Sequence, residues 1–352
     1  MIINKNFINY WKNKKVFITG HTGFKGAWIS LTLKTFGAKI YGYSLPPLKN
    51  SLFFKSNLKK IFEKNYFKDI NNKKILDKSI KECSPDLIIH MAAQSLVLNS
   101  YTDPINTYKT NVIGTVNLLE SIRKTKKPTI TIIISTDKCY ENDQNNISRL
   151  KEESTLGGND PYSSSKACLE LVVRAYNKSY FEKKNIHKVV TARSGNVIGC
   201  ADYAENRLIP DFFRGIKKKN ISIRNPNSRR PWQHVHDVNC GYLKLLFYLS
   251  KSSKFHKSWN FGPDVKQCLK VKTIIKVLNK NIGLRIKYYK SKYYEKKILL
   301  LNSSRSNKIL KWKNNFTTVE ALKDIENWFL KDIKKEKLLQ HAILSIKKYY
   351  DI

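Results

Sequence analysis

A glycine run, Gly20-His-Thr-Gly23-Phe-Lys-Gly26, follows the short apolar segment VFIT and opens a helically spaced stretch, AWISLTLKTFG, that stops at Gly37. A strand that enters a glycine turn and then a helix leaves the first helical amides without partners, and such a cradle takes a pyrophosphate. A bare tight turn is the competing reading, but the flanking strand and helix are the context that favours the cradle. The alternation then repeats. AKIYGYS, YFKDI, PDLIIHMAA, TITIIISTD and KVVTARSGNVIG read as strands. Helical stretches fall around 72–83, 107–124 and 162–184, and residues 51–65 read as a basic loop. This order predicts an α/β fold built on a doubly wound parallel sheet.

After Asn196 the pattern loosens, broken by Pro210, Pro226 and Pro231, and WNFGP at 259–263 reads as a last strand returning to the sheet. Two units are therefore expected. Residues 1–195 with about 232–261 form a dinucleotide-binding Rossmann domain, and about 196–231 with 262–352 form a smaller C-terminal substrate-binding lobe. The tail alternates amphipathic helix with lysine-rich loops.

The second chemical signal is Tyr162 and Lys166 in PYSSSKACLELVV. At i and i+4 they share one helix face. An ammonium beside a phenol favours the phenolate, which can then take a proton from a sugar hydroxyl near neutral pH. Cradle and tyrosine together read as nicotinamide redox chemistry on an alcohol.

Composition excludes several classes. The 352 residues contain no run of about 18 apolar residues, so no membrane span is expected. Asn and Lys interrupt the N-terminal segment, which lacks the apolar core of a secretion signal. Cysteines at 83, 139, 168, 200, 240 and 268 have irregular spacings and no CxxC, which argues against a disulfide framework or zinc site and fits a cytoplasmic protein. The net charge of +39 is spread over the whole chain. Its runs at 12–15, 217–219 and 334–337 are short and carry no interleaved aromatics, so a solvated basic surface is expected, not a nucleic-acid arm. A positive field still helps to collect a doubly phosphorylated substrate.

Other candidates cluster at strand ends. No acidic residue follows the second strand, which ends Tyr41-Gly42-Tyr43-Ser44, and no arginine stands there, so this loop does not choose between NAD and NADP. Asp69-Ile70 closes the third strand, where Asp69 is either an adenine contact or a helix cap. His90 reads as a packed core histidine, while Ala92, Ala93 and Gln94 are small enough at the strand end to let a cofactor approach. Ser135-Thr136-Asp137-Lys138 places a hydroxyl, a carboxylate and an amine together after the strand TITIII. Thr136 and Tyr162 would bracket one hydroxyl, Asp137 would act as acid, and Lys138 as base only if burial or cationic neighbours depress its pKa. A loop-start cap is the bland alternative. Cys139 reads as a buried small hydrophobe. Asn196, Arg207 and Arg229-Arg230-Pro231-Trp232-Gln233-His234 bring guanidinium forks suited to a diphosphate and aromatic faces suited to a base or sugar, unless they form an exposed basic loop.

GHTGFKG, the YxxxK pair and HMAAQ resemble the extended short-chain dehydrogenases/reductases that act on nucleotide sugars. GHTGFKGAW, AAQSLV, STDKCYEN, DPYSSSKACLEL, RSGNVIG, ENRLIPD and RPWQHV resemble the CDP-glucose 4,6-dehydratases in particular, over about residues 11–263. Lys138 discriminates, because the dTDP-glucose and GDP-mannose relatives carry Glu there. The resemblance implies that NAD is bound by Gly20, Thr22, Gly23, Phe24, Lys25 and Gly26 at the pyrophosphate, by Asp69 and Ile70 at the adenine, and by Ala92, Ala93 and Gln94 at the ribose and nicotinamide. It implies Tyr162 and Lys166 as the redox pair, and Thr136, Asp137 and Lys138 as the dehydration group. Gln94, Asn196, Arg207, Arg230, Trp232 and His234 would hold CDP-glucose. It also implies a homo-oligomer, and a product that feeds deoxysugars of a surface polysaccharide. The high charge departs from the family but lies mostly outside these motifs. A nucleotide-sugar 4-epimerase needs Tyr162 and Lys166 but no pair like Asp137 and Lys138, and a protein that only senses NAD needs none of Thr136, Tyr162 and Lys166.

Overall fold

The computed structural model describes residues 4–141, 148–182, 186–330 and 337–352. The end of the expected helix at 183–184, the last residue of the STDKCYEN motif and Lys334 to Glu336 of the third basic run lie outside the described residues.

Seven strands form one parallel sheet: β1 (Lys15–Thr19), β2 (Lys39–Ser44), β3 (Lys64–Phe67), β4 (Leu87–His90), β5 (Ile130–Ile134), β6 (Lys188–Ser194) and, after a long excursion, β10 (Ser258–Phe261). Their spatial order is β10-β6-β5-β4-β1-β2-β3, and every pairing is parallel. The excursion carries β7 (Asn196–Ile198), β8 (Asn220–Arg224) and β9 (Trp232–His234), and β11 (Arg285–Tyr289) follows β10. Two small parallel pairs result, β7 with β9 and β8 with β11.

Both faces of the sheet are covered, and its central strands β4 (LIIH) and β5 (ITIII) are accordingly almost wholly apolar. Successive side chains point to opposite faces. Phe17, Ile88, Ile133 and Val189 pack with Leu76, Ile80, Leu118, Ile122, Leu169 and Val173 from the helices Lys73–Cys83, Gly114–Arg123 and Pro161–Tyr176. Val16, Ile18, Leu87, Ile89, Ile132, Val190 and Ala192 pack the other way, against helices Phe24–Thr35 and Val235–Lys251. Each of these fully buried aliphatic side chains contributes about 1.5–3 kcal/mol.

Three local expectations are corrected. Residues 51–65 are not a plain loop. Leu52–Lys55 is a helical turn capped by Ser51, and Leu58–Ile61 is a 3-10 turn, because Leu52, Phe53, Leu58 and Phe62 need burial against the core. β3 ends at Phe67, so Asp69 and Ile70 lie beyond the strand. Asp69 does not cap the next helix either. Asn72 does, accepting from the Ile75 N–H, while Asp69 Oδ1 accepts from the Asn71 N–H at 2.8 Å.

The strand order reverses direction at β1, which has β2 on one side and β4 on the other. A crevice opens at the carboxyl ends of the strands at such a point.

Candidate active site

One cavity of about 970 Å³ lies over those strand ends. It is lined by the glycine turn, by Ser44 to Leu52, by Lys68 to Ile70, by Ala92 to Gln94, by Thr136 to Lys138, by Tyr162 and Lys166, and by residues of the excursion after β6.

The glycines are sterically required. Gly20 has φ +72°, and a Cβ on it would sit 2.6 Å from the Ala92 nitrogen. A Cβ on Gly26 would sit 2.2 Å from the Gly20 carbonyl oxygen. The turn thereby presses helix Phe24–Thr35 against both β1 and the segment after β4. Gly23 is the residue before that 12-residue helix and supplies no side-chain cap. The first-turn amides therefore face the cavity side without a protein acceptor, as an anion site requires. Lys25 adds charge there. Burial, then Lys166 and Arg207, lower its pKa to about 7.

Helix Pro161–Tyr176 starts where it does because Asp160 accepts from the Ser163 N–H at 2.9 Å and Pro161 occupies the first helical position. This sets Tyr162 and Lys166 into the cavity wall, at 8% and 4% exposure. Lys166 Nζ donates to the Ile134 carbonyl at 3.1 Å, and burial lowers its pKa to about 8. Burial pushes the Tyr162 phenol well up, opposed by its hydrogen bond with Thr136. Desolvation of a buried phenolate outweighs that hydrogen bond.

Thr136 ends the segment after β5 and caps a single 3-10 turn, Asp137–Cys139. Its hydroxyl donates to Asp137 Oδ1 at 3.0 Å. Asp137 is 1% exposed, and its Oδ2 takes no hydrogen bond. A buried carboxylate oxygen without a donor costs free energy that a substrate hydroxyl can relieve. Lys138 has its pKa lowered by burial and then by Arg230, the condition under which it can act as a base.

On the far wall stand Asn196, Arg207, Arg230 and Trp232. Arg207 is held by Asp202 at 3.1 Å and by Ser95 at 3.1 Å. Arg230 is 3% exposed and donates to the carbonyls of Arg229 and Lys297. Trp232 Nε1 donates to the Leu269 carbonyl at 3.0 Å.

His234 is the one expected site residue that the fold takes elsewhere. It does not line the cavity. It is 1% exposed, its ring tilted 38° to that of Phe316 with centroids 4.4 Å apart, and Nε2 lies 3.3 Å from the Asp324 carboxylate. Strand alternation would give it the face of Trp232, two residues before, but β9 ends here and His234 caps helix Val235–Lys251, with its ring turned to Phe316 and to Asp324 of helix Thr318–Leu330. Cys200 joins the same cluster, its Sγ at 3.2 Å from Asp324. His234 Nδ1 accepts from the His236 N–H at 3.3 Å, and Nε2 faces the Asp324 carboxylate without meeting hydrogen-bond geometry.

Two cavity-forming residues have no motif of their own. Asn111 is fully buried in a π turn, Lys109–Ile113, and joins the Gln94 backbone to Ser165. Its only signal is a polar residue on the inward face of an otherwise amphipathic stretch. Glu295 lines the cavity beside Arg224 at 3.7 Å and Arg230 at 3.9 Å, and accepts from Asn225 at 2.5 Å. Burial raises its pKa, but Arg230 and Arg224 more than offset this and hold it low.

Residues 17–325 match the family model described as GDP-mannose 4,6 dehydratase. The chain belongs to this family. Within its wider set, the chain is 39% identical over 348 residues, 96% of each chain, to a CDP-glucose 4,6-dehydratase from Salmonella typhimurium strain LT2. Its fold matches a dTDP-glucose 4,6-dehydratase from Bacillus anthracis str. Ames solved in complex with NAD, with a TM-score of 0.76 and 25% identity over 92% of this chain and 99% of that one. It also matches the fold of a UDP-glucose 4-epimerase from Thermotoga maritima, with a TM-score of 0.77 and 19% identity over 91% of this chain and 99% of that one.

Proposed function

We propose that this chain is a CDP-glucose 4,6-dehydratase, converting CDP-glucose to CDP-4-keto-6-deoxyglucose and water. The carrying observation is that Thr136, Asp137, Lys138, Tyr162 and Lys166 line one cavity with a glycine-turn anion cradle. The 39% identity to a CDP-glucose enzyme supports the nucleotide.

NAD fits the cradle. The uncapped helix at Gly23 would take the pyrophosphate, bordered by Thr22, Phe24, Lys25 and Gly26, Asp69 and Ile70 would meet the adenine, and Ala92, Ala93 and Gln94 would leave room for the ribose and nicotinamide. When bound, NAD supplies a reversible hydride acceptor, so that the sugar is oxidised at C4 and reduced at C6 with no net oxidation.

Tyr162 takes the proton of the 4-hydroxyl, and Thr136 holds the same oxygen. Lys166 keeps positive charge beside this exchange and favours the phenolate form once the site is filled. The resulting 4-keto group acidifies the C5 proton. Lys138 removes that proton and returns one to C5 when C6 is reduced, and Asp137 protonates the departing 6-hydroxyl, which leaves as water. Asn196, Arg207 and Arg230 hold the nucleotide diphosphate, and Trp232 packs beside it. The excursion after β6 and the segment after β10 supply this substrate wall, and the parallel sheet supplies the dinucleotide wall. We take the enzyme as a cytoplasmic homo-oligomer whose product enters deoxysugar and surface polysaccharide synthesis.

The test is incubation of the protein and NAD with CDP-, dTDP-, UDP- and GDP-glucose, with detection of a 4-keto product. CDP-glucose should give the highest kcat/KM, because a site that hydrogen-bonds one base edge leaves polar groups unpaired with another. A 4-epimer without water loss, or an equal rate with dTDP-glucose, would overturn the assignment.

A further inference from the structure

The segment that follows β11 touches both halves of the chemistry proposed above. Glu295 lines the cavity beside Arg224 and Arg230. The next residue, Lys296, does not line it and is only 4% exposed. A buried ammonium needs acceptors for its protons. Lys296 Nζ donates to the Tyr140 carbonyl. Tyr140 is the residue that closes the single turn Asp137–Cys139. Burial lowers the Lys296 pKa and Asp137 opposes that fall, so the charge lies within electrostatic reach of the turn. The Tyr140 ring is fixed separately, its hydroxyl bonded to Arg193 at 2.7 Å and to Asn260 at 2.6 Å, so Lys296 acts on the main chain.

The rest of the segment is pinned on either side of Lys296. The Lys297 carbonyl accepts from Arg230 Nη1 at 3.2 Å and from the Arg229 N–H at 2.9 Å. Upstream, Tyr293 stacks on Tyr101 with ring centroids 4.6 Å apart, and the Tyr101 hydroxyl donates to the Tyr294 carbonyl at 3.4 Å. Tyr101 follows Ser100, whose Oγ accepts from the Tyr162 N–H at 3.1 Å. Residues 293–297 thus join the arginine wall, the turn of Asp137 and Lys138, and the short helix that supports Tyr162.

We propose that Lys296 is a positioning residue for the dehydration step: it ties the turn of Asp137 and Lys138 to the segment that Arg230 holds, so that a nucleotide diphosphate at Arg230 also steadies the acid and the base. This role rests on the function proposed above. Hydrogen exchange of the full chain loaded with NAD is measured with and without CDP, which has no hexose to touch residues 137–141 itself. In the unmodified protein CDP should slow amide exchange about threefold or more in peptides covering 137–141, as well as in those covering Arg230. In Lys296→Met the effect at Arg230 should remain and that at 137–141 should disappear. Single turnover with CDP-glucose gives the chemical readout. Lys296→Met should leave the rise of reduced-nicotinamide absorbance unchanged and slow its decay about 10- to 100-fold. Loss of folded protein changes the amplitude of both phases and not the ratio of their rates. Protection around Arg230 with none at 137–141 in the unmodified protein overturns the role of Lys296 and leaves the proposed function standing. So does a Lys296→Met protein in which rise and decay slow equally or not at all. No effect of CDP anywhere sinks this role together with the nucleotide reading it rests on.

Discussion

Asn111 grips the backbone of Gln94 from both sides: its Oδ1 accepts from the Gln94 N–H at 2.9 Å and its Nδ2 donates to the Gln94 carbonyl at 3.0 Å. The same Nδ2 also donates to Ser165 Oγ, one turn from the Tyr162 carbonyl that Ser165 itself binds. The cofactor-facing segment after β4 and the helix of Tyr162 are therefore set by one amide. Asn111→Leu removes these bonds and leaves the Gln94 amide and carbonyl unmatched, a cost of about 1–3 kcal/mol per buried group. The expected result is weaker dinucleotide binding and a lower melting temperature together. Unchanged affinity would show that Gln94 is held without it.

Tyr162→Phe deletes a proton acceptor and little volume. Turnover should fall by about 10²–10⁴ or more, with dinucleotide affinity retained. Near-normal turnover would remove Tyr162 from the chemistry.

Asp137 and Lys138 separate water loss from the first oxidation. In Asp137→Asn or Lys138→Met, single-turnover mixing with CDP-glucose should show reduced nicotinamide absorbance that builds up and persists, because the C4 step needs Tyr162 and the C5–C6 step needs these groups. Lys138 carries the greater demand. A lysine near its usual pKa of about 10.4 is a poor base at neutral pH. Burial and Arg230 lower it here. Full turnover by Lys138→Met, with no absorbance build-up, would make Lys138 a scaffold residue and leave the proton to Asp137 or water.

The lysines of the cavity also set a pH dependence of stability. Lys25 titrates at about 7 and Lys166 at about 8 in the folded protein, against 10.5 ordinarily. Between those values the unfolded chain binds more protons than the folded one, so stability rises with pH. Melting temperature of the dinucleotide-free protein should climb between about pH 7 and pH 9, and Lys25→Met should remove part of that climb. A bound pyrophosphate restores the lysine charge and should flatten the slope as well. A melting temperature that falls over this range contradicts the burial of both ammonium groups.

Arg193 and Glu170 form a buried pair, 2.7 Å apart and each about as inaccessible as the core. Arg193 further donates to the Tyr140 hydroxyl and to the Glu152 carbonyl, and Tyr140 donates to Asn260. This ties β6, the Tyr162 helix, the segment after Thr136 and β10 together. Arg193→Met strands Glu170 without its partner and should cost about 3–5 kcal/mol in denaturant unfolding. Glu170→Gln together with Arg193→Met should cost less than the sum of the two.

The parts legible in the sequence are those with short-range rules. The glycine turn, the strand alternation, the return of WNFGP to the sheet edge and the Tyr162 helix with its Asp160-Pro161 start all follow from local spacing and capping. His90 was readable as a core residue, and it is one, bonded between Thr19 and Thr115. What escaped depends on contacts far apart in the chain. Asn111 acts across 17 and 54 residues, and Glu295 reaches back to Arg224, Arg230 and Lys138. His234 lies in a motif that does reach the cavity through Arg230 and Trp232, but only the strand's twist and the helix packed on it decide which way its ring points. For Tyr162, helix spacing reports proximity to Lys166 and says nothing about desolvation, which pushes the phenol up.

The placement of β10 beside β6 has a consequence for synthesis of the chain. β6 is complete at residue 194, but its outer neighbour arrives only with residues 258–261, when about three quarters of the polypeptide has left the ribosome. Until then the nascent sheet presents an unpaired edge of seven residues, Lys188–Ser194, the kind of edge to which other extended chains add. The intervening segment, which later walls the cavity, is what must fold before that edge can close. Overproduction should therefore expose this edge to neighbouring nascent chains, and slower translation or chaperone capacity over that interval should decide how much of the product is recovered folded.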